Sequence, residues 1–136
     1  MAPERIETVI VGGGQAGLAT SYWLTQHGRE HIVLEKASQS GHAWRQRWDS
    51  FTLVTPNWTF CLPGAEYDGD DPHGFMPRSE IERRFREYAI RYTMPLRYGV
   101  EVSSVALQDG GYLVGASDRN YRARNVVVAS GLFQRP

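Results

Sequence analysis

The chain has 136 residues, of which 41% are hydrophobic and 22% charged, and its 15 basic side chains balance 15 acidic ones. This composition is typical of a globular domain, and the zero net charge gives no electrostatic attraction for nucleic acid or an anionic membrane. No apolar run approaches the roughly 20 residues of a membrane-spanning helix, and the single cysteine excludes an internal disulfide, so we expect a cytoplasmic protein that binds neither nucleic acid nor membrane.

The first 35 residues predict a strand, a helix and a second strand. Ile6–Val11 is short, rich in β-branched residues and followed by glycine, which indicates a buried strand. A helical pattern covers Gln15–His27, and Gly28 is expected to end it. The residues predicted to share its apolar face are Ala16, Ala19, Trp23 and Leu24. His31–Leu34 resumes a strand, so this stretch has the order and length of a βαβ unit.

The rest of the chain predicts a long connection, one helix and a β-meander. Lys36–Arg78 lacks a regular pattern and is rich in Gly, Pro, Asp and Trp, which indicates a functional loop. The segment 77–92 has an amphipathic pattern, and Ser79 and Glu82 have the spacing of a capping box. Strands are predicted at 99–107, 111–116 and 121–124, with a separate final strand at 125–129. We therefore predict an α/β fold, a Rossmann-like parallel sheet with a small antiparallel β-meander.

A glycine motif opens the first helix. Gly12, Gly14 and Gly17 satisfy G-x-G-x-x-G directly after a predicted strand. The first glycine permits a tight turn, the second lets the backbone approach a diphosphate, and the third lets helix and strand pack closely. The N–H groups and dipole of the helix N-terminus favour phosphate. Gly13 is expected to be merely tolerated.

An acidic residue, Glu35, stands at the tip of the second predicted strand. Its carboxylate is placed to accept hydrogen bonds from ribose hydroxyls and to disfavour a 2′-phosphate. The alternative interpretation is a glycine turn required only by backbone conformation, followed by a solvated glutamate.

Other polar residues do not predict chemistry. Four histidines lack metal-ligand spacing, so no metal site is expected; they are His27, His31, His42 and His73. His42 is expected to be an ordinary loop histidine, and Cys61 a small buried residue. The acidic stretch Asp68–Asp71 is predicted to be a solvated turn, and the arginines and glutamates of the 80–92 helix an exposed face of paired charges.

Six segments follow one another as in a known family: VIVGGGQAGLA, LEK, GHAWRQRWDSFTLVTP, LPG, FMPRSEIERRFREYA and VVVASGLFQRP. They resemble the N-terminal FAD-binding part of flavin-containing monooxygenases and their relatives, including Baeyer–Villiger monooxygenases. The resemblance extends over nearly the whole chain and is far more specific than the glycine motif alone.

The resemblance implies an FAD site. Its glycines would hold the pyrophosphate, Glu35 the adenosine ribose and the Val102 backbone the adenine, and the segment 41–58 would form a wall beside the isoalloxazine ring. Ser130 stands where relatives have threonine, which keeps the hydroxyl. The residues assigned to FAD in this way are Gly12, Gly14, Gln15, Ala16, Gly17, Glu35, Lys36, Gly41, Trp44, Arg45, Thr55, Asn57, Val102, Ser130 and Gly131.

The resemblance also implies a reaction: NADPH reduces the flavin, which then activates O2 and transfers one oxygen to a nitrogen, sulfur or carbonyl centre of a small-molecule substrate. Relatives bind NADPH through a second glycine-rich unit that this sequence does not contain. We therefore expect residues 1–136 to be an incomplete FAD-binding domain that cannot turn over alone and exposes a face suited to association. No catalytic residue is predicted. The alternatives are another FAD-dependent reductase of this architecture, which a C-x-x-C pair would support, and a non-catalytic dinucleotide-binding module.

Overall fold

The computed structural model describes residues 2–131 as one six-stranded sheet with three helices. The strands are β1 (Glu4–Val11), β2 (His31–Glu35), β3 (Leu96–Tyr98), β4 (Val102–Gln108), β5 (Gly111–Ala116) and β6 (Asn120–Val128); the helices are α1 (Gln15–Gln26), α2 (His42–Arg45) and α3 (Arg78–Arg91). The strand order is β3-β2-β1-β6-β5-β4, in which β3, β2, β1 and β6 are parallel and β4, β5 and β6 form an antiparallel meander. The predicted α/β fold is confirmed.

The prediction of two strands across 121–129 is wrong, because β6 is continuous. One side of β6 pairs in parallel with the whole of β1, from Glu4 opposite Tyr121 to Val11 opposite Val128. The other side of its first half pairs antiparallel with β5. The polar stretch around Arg124 and Asn125 suggests a break, but both residues are exposed, and the pairing with β1 keeps the same register from Ala123 to Asn125.

A parallel edge strand escaped prediction. β3 has three residues between Pro95 and Gly99 and pairs with β2, with Val33 opposite Leu96. β4 accordingly begins at Val102 rather than at Gly99. A strand of three residues has too little alternation to be recognised from its sequence, and here its place is fixed by α3 returning the chain to the sheet edge.

Both long helices differ in detail from the prediction. The buried residues of α1 are Gly17, Leu18 and Ser21, whereas Trp23 is 54% exposed, because the helix packs on the sheet through its glycine side. In α3, the N-cap is Pro77 without a side-chain hydrogen bond, so Ser79 lies inside the helix and no capping box forms.

The core has one layer on each face of the sheet, and each fully buried large side chain contributes about 1.5–3 kcal/mol. One layer joins α1 and α3 to the long connection, which supplies Phe51, Leu53, Leu62 and Met76. The other layer lies under the meander and includes Val9, Leu34, Val114 and Tyr121. The connection predicted to be irregular thus contains α2, a 3₁₀ turn at Asn57–Thr59 and core residues. In residues 2–131, no helix is long and apolar enough to span a membrane.

Candidate functional site

A cavity of about 750 Å³ lies at the carboxyl ends of β1, β2 and β6. α/β proteins bind ligands at this edge of a parallel sheet. The cavity lies next to the switch point between β1 and β6, where the strand order reverses. Ten of the fifteen residues assigned to FAD line it: Gly12, Gly14, Gln15, Ala16, Glu35, Lys36, Trp44, Val102, Ser130 and Gly131. The sheet edge therefore brings together residues up to 119 positions apart in sequence, from Gly12 to Gly131.

Two of the three motif glycines are required by the packing of the protein itself. Gly12 has a φ of +108°, and a Cβ there would collide with the carbonyl of Ala129 at the end of β6. Gly17 faces the Gly12 carbonyl so closely that α1 could not approach β1 with any larger residue. These glycines fix the turn and the distance between helix and sheet, as the motif predicts.

Gly14 has a different environment. Its φ is −83°, which any residue adopts, and a Cβ built there would meet no protein atom within 4 Å. It is the N-cap of α1, where no side chain caps the helix, and it lines the cavity. Neither its dihedral angles nor protein packing requires a glycine, so the space in front of it, beside the unpaired N–H groups of the first turn, fits an anion that binds close to the backbone.

Gly13, which the sequence suggests is merely tolerated, is closely packed in the structure. A Cβ on Gly13 would lie 2.9 Å from Cδ2 of Leu96 and 3.1 Å from the Glu35 Cβ. Its backbone N–H also donates a hydrogen bond of 2.9 Å to Oε1 of Glu35. Gly13 is therefore the contact that joins the glycine turn to the end of β2.

The Glu35 carboxylate is held by two backbone donors. Oε1 accepts the bond from Gly13, and Oε2 accepts one of 2.7 Å from the Ala37 N–H. Each carboxylate oxygen has a second lone pair, so the group can still accept bonds from a pair of hydroxyls. Its position and orientation are thus fixed by the fold before any ligand arrives.

Another part of the cavity wall comes from α2 and the residues after it, which contribute His42, Ala43, Trp44 and Arg47. Trp44 packs behind the cavity on Phe85 of α3, with ring centroids 6.4 Å apart and planes at 20°. Its rigid indole forms part of the cavity lining.

A family model described as pyridine nucleotide-disulphide oxidoreductase matches residues 9–136. The chain belongs to this family. A CzcO-like oxidoreductase of Geobacillus kaustophilus, itself uncharacterized, is 37% identical over 131 residues, which are 96% of this chain and 37% of that protein. YUCCA10 of Arabidopsis thaliana, a probable indole-3-pyruvate monooxygenase, is 35% identical over 98 residues, covering 71% of this chain and 25% of that protein. A flavin-containing monooxygenase from Stenotrophomonas maltophilia matches in structure with a TM-score of 0.87 at 28% identity, over 94% of this chain and 39% of that one.

The family and these relatives confirm the resemblance to flavin monooxygenases and imply FAD and a pyridine nucleotide as cofactors. By their names, these relatives are an oxidoreductase, a probable indole-3-pyruvate monooxygenase and a flavin-containing monooxygenase. This chain spans 37% of the length of the CzcO-like oxidoreductase.

Five residues that the family resemblance assigned to FAD do not line the cavity: Gly17, Gly41, Arg45, Thr55 and Asn57. Gly41 is buried against Glu82 and Phe85 of α3, and the Arg45 side chain is exposed. Thr55 is exposed as well. Among residues 2–131, Trp44 is the one Trp, Tyr or Phe in the cavity lining.

Asn57 has a structural role in this conformation of the chain. It is buried, its Nδ2 donates to the Asp71 carbonyl at 2.9 Å, and its Oδ1 accepts the Met76 N–H at 2.6 Å. The amide therefore ties the two ends of the 57–76 loop together. The exposed Trp48 and Trp58 also lie outside the cavity lining.

The structure adds residues that the sequence did not indicate. Four aliphatic side chains from strand ends and their neighbours form an apolar part of the cavity: Val11, Leu34, Val100 and Val128. Arg47 lines the cavity and Arg45 does not, and His42 belongs to α2 rather than to a loop. The spacing of Arg47, three residues after Trp44, is a signal that could have placed both side chains on one side of a helical turn.

The remaining expectations concern Cys61, a metal site and the charges of α3. The expectation of a buried Cys61 is wrong, because this residue follows the 3₁₀ turn on the surface and its Sγ lies 3.4 Å from the Trp58 carbonyl oxygen. Among residues 2–131, no group of three His, Cys, Asp or Glu side chains is arranged to hold a metal ion. The predicted charge pairing on α3 is confirmed, since Arg83 pairs with Glu80 and Glu87.

Proposed function

We propose that residues 1–136 form the FAD-binding domain of a flavin-dependent, NADPH-using monooxygenase. The observation that carries this proposal is the open space at Gly14, at the start of α1. Neither the backbone angles of Gly14 nor packing within the protein requires a glycine there. A diphosphate fits that space, and the fixed Glu35 carboxylate on the adjoining strand fits a ribose.

In this proposal the chain binds and orients the cofactor. The first turn of α1 donates N–H groups to the diphosphate, Glu35 accepts the adenosine ribose hydroxyls, and the aliphatic part of the cavity near Val102 receives the adenine. Trp44 lies along the path toward the flavin. FAD supplies the redox chemistry when bound, since it accepts electrons from NADPH and, once reduced, activates O2.

The complete reaction belongs to a longer protein in this proposal, because the relatives have about two thirds of their length outside the matched region. The NADPH site and the substrate site would lie there, and the enzyme would act in the cytoplasm on a small molecule. Three exposed apolar side chains of the long connection offer a surface for association with such a neighbouring part: Val54, Trp58 and Phe75.

The test is an FAD titration of the 136-residue chain, in which binding is detected by the quenching of flavin fluorescence. We expect saturable binding, a loss of affinity of at least tenfold in Gly14→Val and Glu35→Ala, and no change in Thr25→Val. Thr25 is an exposed residue of the same helix outside the cavity and receives a similar β-branched side chain. Equal affinity of Gly14→Val and the unaltered chain would contradict the assignment of the diphosphate to this turn.

A further inference from the structure

β4 forms one edge of the sheet, and among residues 2–131 it pairs with β5 alone. Its sequence, VSSVALQ, contains neither a charged residue nor proline, and the residues from Ser103 to Gln108 are exposed. The register shifts between Val102 and Ser104, and from Ser104 to Gln108 the pairing with β5 is regular. Edge strands are usually protected by charges, prolines, bulges or short length, because their open backbone groups otherwise pair with another chain. The regular part of β4 has neither a charge nor a proline to protect it.

The opposite edge of the sheet is protected. β3 has three residues, and Pro95 directly before it has no N–H to donate. Arg97, in the middle of β3, carries a charge and forms an ion pair with Glu4, in which Nη2 and Oε2 are 2.9 Å apart. Of the two edges, β4 is therefore the one that offers backbone groups to a further strand.

The hairpin between β4 and β5 determines which backbone groups of β4 are open. Gln108 and Gly111 are partners across a two-residue turn, and the pair that flanks such a turn exchanges both of its backbone hydrogen bonds. Along an antiparallel ladder this orientation alternates, so Ala106 also bonds to β5, whereas Val105 and Leu107 direct their N–H and C=O groups away from the sheet. The side chains of these two residues lie on the same face and are 42% and 76% exposed. β4 thus presents an open edge with apolar side chains beside it.

We propose that β4 pairs antiparallel with β4 of a second copy of this chain, about a two-fold axis at Ala106. In this register Val105 of one copy lies opposite Leu107 of the other, and the two residues exchange both of their backbone hydrogen bonds. The same pair recurs on the other side of the axis, so the open backbone groups of both residues are satisfied. The apolar side chains of each pair cover one another on their shared face, and the two sheets become continuous. Neither residue lines the cavity, so this inference is independent of the proposed function.

Acidic residues favour this register over its neighbours. If the axis lay one residue earlier, Asp109 of each copy would lie near Glu101 of the other, and like charges opposite one another are destabilising. If the axis lay one residue later, Asp109 would lie beside the apolar Val105. With the axis at Ala106, Asp109 instead lies near Ser103, whose hydroxyl can donate a hydrogen bond to a carboxylate. In this register β4 therefore pairs with its copy without opposing like charges.

Pairing of this kind ends at a dimer. A two-fold contact uses the same surface on both copies, so it leaves no further β4 edge open. The joined sheet would have a β3 strand at each outer edge, and β3 is short, follows a proline and bears Arg97. We therefore expect dimers rather than open-ended fibres.

Sedimentation equilibrium of the 136-residue chain tests the association. We expect a reversible monomer–dimer equilibrium, and in Leu107→Lys a dissociation constant raised by at least about tenfold, because pairing would bury the added charge against an apolar side chain. Val54→Lys is the matched control and should dimerise as the unaltered chain does, since Val54 is 87% exposed and belongs to the long connection rather than to β4. Thermal unfolding followed by circular dichroism checks that both variants are folded. An unaltered chain that stays monomeric would overturn the proposal, and so would an undiminished dimer affinity in Leu107→Lys.

Disulfide trapping tests the register. Cys61 is the single cysteine and is exposed, so the variants are made in a Cys61→Ser chain. Ala106→Cys places a thiol on each side of the axis, in a non-hydrogen-bonded pair whose Cα atoms are about 4.5 Å apart, and we expect a covalent dimer under mild oxidation. Ser104→Cys is the control on the same face of β4; its copies would be four residues apart along the strand, roughly 14 Å, and should stay reduced. Equal cross-linking of the two variants, or cross-linking of neither, would overturn the proposed pairing.

Discussion

Gly17 offers a sharp test of the packing between α1 and the sheet. A Cβ built at this position would lie 1.8 Å from the Gly12 carbonyl oxygen, and Cβ contacts below 3.0 Å essentially do not occur in proteins. The helix or the turn would have to move by at least the difference, 1.2 Å, and the obstructing atom is backbone rather than a flexible side chain. Gly17→Ala therefore strains the contact that defines the βαβ unit.

Two opposing effects set the magnitude. Alanine favours a helix interior over glycine by about 1 kcal/mol, whereas overpacking a rigid contact costs about 3 kcal/mol or somewhat more. We expect a net decrease of about 2 kcal/mol in the free energy of unfolding. In a chain of this size that is a decrease of about 6–10 °C in Tm. Urea unfolding followed by circular dichroism measures the difference.

Gly14→Ala is the matched control, because its added Cβ meets no protein atom within 4 Å. Alanine is a poorer N-cap than glycine, so a loss of under about 1 kcal/mol is expected. If Gly17→Ala were as stable as the unaltered chain, helix propensity would outweigh the clash and the close packing of α1 would be refuted. Equal destabilisation by both substitutions would also refute it.

Three other predictions follow from particular contacts. The hydrogen bond from Arg97 holds the pKa of the Glu4 carboxyl below its usual range. The stability that this pair contributes is therefore complete above about pH 4.5 and is lost as the pH falls through the lowered pKa. Glu4→Gln should accordingly make the decrease of Tm in acid less steep. Asn57→Ala leaves the buried Met76 N–H without an acceptor. We expect the free energy of unfolding, measured in urea, to fall by about 2–3 kcal/mol and the 57–76 loop to be proteolysed faster. A melting curve like that of the unaltered chain would contradict the structural role of the amide. The Glu35 carboxylate should repel a 2′-phosphate, so ADP should compete with FAD at least tenfold better than 2′-phospho-ADP does. Glu35→Gln should reduce that ratio. Equal competition by the two nucleotides would count against the assignment of Glu35 to the ribose.

The βαβ unit and its glycine turn were predictable because their signals are local. Strand, turn, helix and second strand lie within Glu4–Glu35, and the close contact of Gly17 is with Gly12, only five residues away. The hydrophobic pattern of α3 was equally readable, since Ile81, Phe85 and Tyr88 recur at helical spacing and are buried. The family resemblance then supplied the order of the remaining segments.

The parts that were missed depend on contacts between distant segments. Gly13 is closely packed because Leu96, on an unpredicted strand, and Glu35 come within reach of it. Arg47 rather than Arg45 lines the cavity, and the carbonyls of both residues accept hydrogen bonds from the distant Arg78, a contact of which the sequence gives no sign. The continuity of β6 arises from its parallel pairing with β1, whose register is the same on both sides of the polar middle of β6.

The pairing of β1 with β6 has a consequence for how the chain folds. Partners in this ladder are 117 residues apart, and the two strands occupy the middle of the sheet. During synthesis, the backbone edge of β1 that pairs with β6 has no partner until nearly the entire domain has been made. Such long-range pairing makes folding slow and leaves an exposed strand edge that other chains can join. Nascent chains of this domain are therefore expected to depend on chaperones more than the stability of the finished sheet suggests.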